Sequence, residues 1–85
     1  MKTWNYRVLR GEGNFETWNY RVLRREGNFA IHEVFYEDGK PISCTEDPVA
    51  PFGEDTLEEL RHDMELMMRA LSKPVLDYEN LQPDS

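Results

Sequence analysis

Cysteine is nearly missing from this chain. Cys44 stands alone, so no intrachain disulfide can form, a pattern that fits a reducing compartment. Long apolar runs are missing too, and nothing approaches the roughly 18 residues a membrane-spanning helix requires. The N-terminus reads straight into an alternating pattern, without the apolar stretch of a secretion signal. These features predict a cytoplasmic protein that makes no membrane contact. Positive charge is also scarce: 10 Lys and Arg face 17 Asp and Glu, for a net charge of −7. That balance speaks against a phosphate backbone as the main partner, so no nucleic-acid binding is expected. The 85 residues are read as a single domain, residues 1–85, with a modest core.

What the chain does have is a repetition. "TWNYRVLRGEGNFE" (Thr3–Glu16) is followed at once by "TWNYRVLRREGNFA" (Thr17–Ala30), and only Gly11/Arg25 and Glu16/Ala30 differ between the copies. Within each copy the side chains alternate in character, with Trp4, Tyr6 and Val8 on one side and Asn5, Arg7 and Leu9 on the other. Trp18, Tyr20 and Val22 repeat this against Asn19, Arg21 and Leu23. Period two with aromatic and β-branched residues predicts strands. "NFAIHEVFY" (Asn28–Tyr36) and "KPISCTE" (Lys40–Glu46) read the same way.

The connections Gly11-Glu12-Gly13, Arg25-Glu26-Gly27 and Glu37-Asp38-Gly39 each read as three residues ending in glycine. A three-residue hairpin loop places its last residue in the left-handed region, where glycine has no Cβ penalty. Asp38-Gly39 also fits a two-residue turn. With three-residue loops even positions oppose even positions: Trp4 faces Tyr20, and Trp18 faces Val34. One face then collects the Trp, Tyr and Val residues of both copies with Ala30, Val34, Tyr36, Ile42 and Cys44, and His32 as its polar member.

Pro48 and Pro51 end the strand region. Thr56 with Glu59, or Asp55 with Glu58, forms a capping box opening a helix over 54–72. Leu57, Leu60, Met64, Met67 and Leu71 recur at helical spacing and read as a core stripe, closed by Pro74. Residues 79–85 read as a frayed tail. The expected fold is α+β: a four-stranded antiparallel meander with one helix packed on one face, β-β-β-β-α.

Little in the sequence suggests a reaction, and no enzyme, cofactor or metal site is expected. His32 falls near Cys44 in the expected register, so a minor thiol enzyme is one alternative. A packed histidine beside a buried thiol is the plainer reading, and two ligands make a poor zinc site. Glu58, Glu59, Asp63 and Glu65 read as a solvated helix face beside His62. The odd-numbered side of the sheet is more suggestive. It gathers Leu9, Leu23, Phe29, Ile31 and Phe35 beside Arg7 and Arg21, a candidate partner-binding surface unless the tail or proline loop folds over it.

Near-identity over fourteen residues points to a recent or engineered duplication. Removing one fourteen-residue copy from the 85 leaves a 71-residue β-β-β-α chain whose first strand would have an exposed edge. Such a strand can pair with its twofold copy about Asn5, so the second copy extends the sheet and shifts a strand-paired dimer toward a monomer.

The segment "GEDTLEELRHDMELMMRAL" after a proline-containing loop resembles the N-terminal domain of HicB-type antitoxins, mainly through Gly53, Thr56, Leu57 and Glu59. The resemblance spans residues 17–72. It implies a non-catalytic module that neutralises a small RNA-cleaving toxin, though no DNA-binding segment follows Leu71 as it does in that family. The "WNYRV…IHEV…GKP…TEDPVAPFGE" patterning also resembles a small bacterial β-β-β-α family, which implies a fold and no activity.

Overall fold

The structure, a computed structural model, describes residues 17–84. The expected strand over the first copy, and with it Arg7 and Leu9, lies outside the described residues. The second copy supplies β1 (Trp18–Arg25) and the start of β2 (Asn28–Glu37), followed by β3 (Lys40–Thr45) and α1 (Leu57–Ala70). The tail adds β4 (Leu76–Asp77), a 3-10 turn (Tyr78–Asn80) and β5 (Gln82–Asp84).

The described strands form one mixed sheet in the order β4-β1-β2-β3-β5. This corrects the expected four-stranded antiparallel meander. β1–β2 and β2–β3 are antiparallel, whereas β4 runs parallel to β1 and β5 parallel to β3. The tail therefore edges the sheet on both sides.

The turns explain a second correction. Both hairpins close with two residues, Glu26-Gly27 and Asp38-Gly39, all four at positive φ (52°, 81°, 53° and 79°). Left-handed backbone at both central positions matches the right-handed twist of the flanking strands. A two-residue turn pairs even with odd, so Trp18 opposes Phe35, Tyr20 opposes Glu33 and Val22 opposes Ile31. A register shift between Phe35 and Tyr36 then sets Val34 against Cys44. Every β2 side chain thus lies on the face opposite to the one expected from three-residue loops.

Each face of the sheet has its own cover. Tyr20 and Val22 pack on Met67 and Ala70 of α1, with Ile31, Val49 and Leu66 beside them. On the reverse, Leu23, Val34 and Cys44 pack under Tyr78 and Leu81 of the tail, with Tyr36 and Leu76 beside them. The tail passes from the β4 edge to the β5 edge between Asp77 and Gln82, a reach of at most about 18 Å. Four flat interstrand gaps would span about 19 Å, and a 3-10 turn shortens the chain further, so the sheet must curl around Tyr78 and Leu81. The irregularity in the β2–β3 pairing favours that bend.

Helix α1 starts where the capping box predicts. The Glu59 N–H donates to Thr56 Oγ1 at 3.1 Å, and the Asp55 and Thr56 N–H groups donate to Glu59 Oε1 at 2.8 and 3.4 Å. These bonds hold the exposed Glu59 carboxyl below its ordinary range. Gly53 lets the incoming loop lie against this first turn. A Cβ there would stand 2.6 Å from the Leu60 nitrogen and 2.7 Å from the Thr56 oxygen. Among the described residues, no helix is long and apolar enough to cross a membrane.

Candidate functional site

Helix α1 has a wider apolar surface than its contact with the sheet consumes. Met67 and Ala70 point into the core, but Met64, Met68 and Leu71 stay 49%, 65% and 63% exposed. Positions 64, 68 and 71 each follow by one residue a sheet-facing position, 63, 67 or 70. They therefore form a second stripe rotated about 100° around the helix axis. The core stripe read from the sequence merged these two, and Leu57, Met64 and Leu71 belong to the exposed one.

The second stripe forms one wall of a groove of about 340 Å³. Ala30 and Ile31 of β2 make its floor, and Pro48, Val49 and Pro51 its far wall. The wall is pinned by the Val49 N–H, which donates to the Ile31 carbonyl at 2.9 Å. Phe29, two residues from Ile31 on the same strand face, is largely exposed. Methionine suits such a groove because its unbranched, polarisable side chain adapts to different shapes.

The candidate surface read from the sequence divides in two. Ile31, Phe29 and Phe35 lie on the helix side, opposite Val22, Arg24 and Trp18. Leu23 and Arg21 lie on the tail side and are buried. Arg21 is engaged there: Nη1 donates to the Tyr36 hydroxyl at 2.8 Å and Nη2 to the Pro74 carbonyl at 2.7 Å. Tyr36 in turn donates to Asn19 Oδ1 at 2.8 Å. Among the described residues of that surface, only Ile31 lines the groove.

A second, polar cleft lies toward the helix N-terminus, lined by Tyr20, Glu33, Phe52, Glu59, His62 and Asp63 among others. Tyr20 donates its hydroxyl to Asp63 Oδ1 at 2.5 Å, and the Phe52 N–H donates to Asp63 Oδ2 at 2.9 Å. Asp63 thereby ties sheet, loop and helix together. Burial, then the bond to Asp63, pushes the Tyr20 phenol above its ordinary value. Burial and the Asp63 charge raise the Glu33 carboxyl. A phenol held protonated makes a poor base, and Asp63 is occupied at both oxygens.

Cys44 and His32 both lie on the tail face, buried. Cys44 pairs with Val34, and the His32 Nδ1–H donates to the Thr45 carbonyl at 2.9 Å. The His32 ring sits 5.8 Å from that of Tyr78, whose ring also carries the Arg25 guanidinium at 3.9 Å. Burial pushes the Cys44 thiol up, against a smaller opposing pull from Arg25. That is the reverse of the shift an activated thiolate needs. Among the described residues, no group of three or more His, Cys, Asp or Glu is placed to hold a metal ion.

No protein-family model matches the chain, and neither a curated protein nor a solved structure matches it significantly.

Proposed function

We propose that this is a non-enzymatic protein-binding domain acting in the cytoplasm, with the methionine-lined groove between α1 and β2 as its contact surface. One observation carries the reading: Met64, Met68 and Leu71 form an exposed apolar wall over Ala30 and Ile31. Continuous apolar surface on a small acidic domain is costly in water and suits a complementary partner. The partner chemistry follows from the surroundings. Glu58 and Glu65 lie on the helix, and Glu46, Asp47, Glu54 and Asp55 on the loop, within a chain of net charge −7. A small basic protein offering an amphipathic helix fits best, the class of partner that the antitoxin resemblance also implies. The test is titration with a basic amphipathic helical peptide built from leucine and lysine. Methyl signals of Met64, Met68 and Leu71 should shift first, and Met64→Asp with Met68→Asp should abolish the shifts. Shifts spread evenly over the acidic surface would overturn the reading.

A second property is proposed alongside it: the duplicated strand extends the sheet and shifts a strand-paired dimer toward a monomer. The sheet edge supports it, because among the described residues β4 pairs with β1 only at Leu23 and Arg24. Sedimentation should find the 85-residue chain monomeric and the 71-residue deletion of Thr3–Glu16 dimeric. Equal masses per particle would count against it.

A further inference from the structure

Sulfur is concentrated at the groove. Three of the chain's four methionines, Met64, Met67 and Met68, line it. They differ in access. Met67 is buried in a cluster with Tyr20, Val22 and Ala70, whereas Met64 is half exposed and Met68 largely so. The one cysteine, Cys44, lies fully buried on the other face of the sheet, where burial raises its thiol and leaves little thiolate. Among the described residues, a reagent arriving from water therefore meets sulfur first at Met64 and Met68.

The groove has little to offer an added oxygen. Every side chain that lines it is apolar. On the far wall Pro48 and Pro51 carry no N–H, and the Val49 N–H is spent on the Ile31 carbonyl.

We propose that Met64 and Met68 form a paired oxidation site that closes the groove to its partner. The proposal rests on the groove being the contact surface and adds its control. The oxidant is a hydroperoxide, of which hydrogen peroxide is the simplest. The methionine sulfur donates a lone pair to one peroxide oxygen, so an S–O bond forms as the O–O bond breaks. The departing hydroxide takes the proton of the transferred oxygen and leaves as water. Sulfur loses two electrons and the peroxide gains them, which balances the step. The product is a sulfoxide, polar where the thioether was apolar, at two positions one helical turn apart.

In the free domain the new oxygen turns to water, and the fold loses little because both side chains already face solvent. Under an apolar partner that oxygen must shed its water and finds no side-chain donor in the groove. Each sulfoxide should therefore weaken binding about tenfold. Met67 differs, because an oxygen on its sulfur would enter the core beside Tyr20 and Val22. Its oxidation waits for the helix to lift from the sheet.

The test treats the full chain with hydrogen peroxide, follows it by peptide mass spectrometry, and titrates it with the same leucine–lysine helical peptide. Met64 and Met68 should each gain one oxygen while Met67 stays unmodified, and the urea midpoint should hardly move. Read from the methyl signals of Ile31 and Leu71, the peptide should bind the doubly oxidised chain at least about tenfold more weakly. The two epimer-specific methionine sulfoxide reductases should restore binding. Met64→Leu with Met68→Leu should bind alike before and after peroxide. Unchanged affinity after oxidation, or Met67 oxidised as fast as its neighbours, would overturn the proposal and leave the groove reading standing. A urea midpoint that falls together with the affinity would assign the loss to unfolding and overturn it as well. Failure of the untreated chain to bind the peptide at the groove would overturn both.

Discussion

The two faces of one sheet are closed in different ways. A fourteen-residue amphipathic helix covers one, and a short tail without a regular apolar period covers the other. The tail makes the better seal. Among the described residues, the largest fully buried side chains, Leu23, His32, Val34 and Cys44, all lie on its side. It does so because it is held at both edges of a curled sheet. The Arg24 Nη2 to Asp77 Oδ1 ion pair at 2.7 Å adds to the β4 end, and β5 pairing with Ser43, Cys44 and Thr45 fixes the other. The helix is a straight rod on a curved surface. It follows β1 and leaves the β2 side open as the groove. Area of apolar side chain is therefore a poor guide to burial here; the shape of the cover decides.

The sharpest way to break this comparison is to truncate one side chain from each cover. Leu81→Ala, in the tail, should cost about 2–4 kcal/mol, because it leaves a cavity over Leu23 and Val34. Met68→Ala, in the helix, should stay within about 0.5 kcal/mol, because its side chain is already mostly in water. Urea unfolding of both variants checks the pair. Equal losses would show that the groove is filled and the contrast false.

A smaller effect sharpens the helix side. The folded-state carboxyl of Glu33 lies above its unfolded value, through burial and the Asp63 charge. Folding therefore takes up a proton in the window between those two values, and stability falls as pH rises through it. Below the ordinary carboxylate range the penalty vanishes. Glu33→Gln should then raise the melting temperature at neutral pH, leave it unchanged at strongly acidic pH, and flatten the slope between. Thermal melts across that range test it, and a variant less stable at neutral pH would reverse the assignment.

The candidate site was only half legible. Ile31 and Phe29 stand out as apolar residues on an exposed strand, but their grouping with Leu23 and Arg21 followed from a turn read one residue too long. Glu26 and Asp38 carry side chains at positive φ, a cost that a chain bears only when strand twist rewards it. The sequence read Leu57, Leu60, Met64, Met67 and Leu71 as one core stripe, whereas Leu57, Met64 and Leu71 are exposed. Which stripe was buried depended on where the sheet lay.

By itself the sequence determined what short-range chemistry decides: the helix and its Thr56–Glu59 cap, the strands within β1 to β3, and the hairpin positions at Glu26-Gly27 and Asp38-Gly39. Only the tertiary structure decided which faces those strands presented and that Tyr78 and Leu81 would close the sheet. Those outcomes join residues as far apart as Leu23 and Leu76. They depend on the curvature of the whole sheet, which no local window of side chains contains.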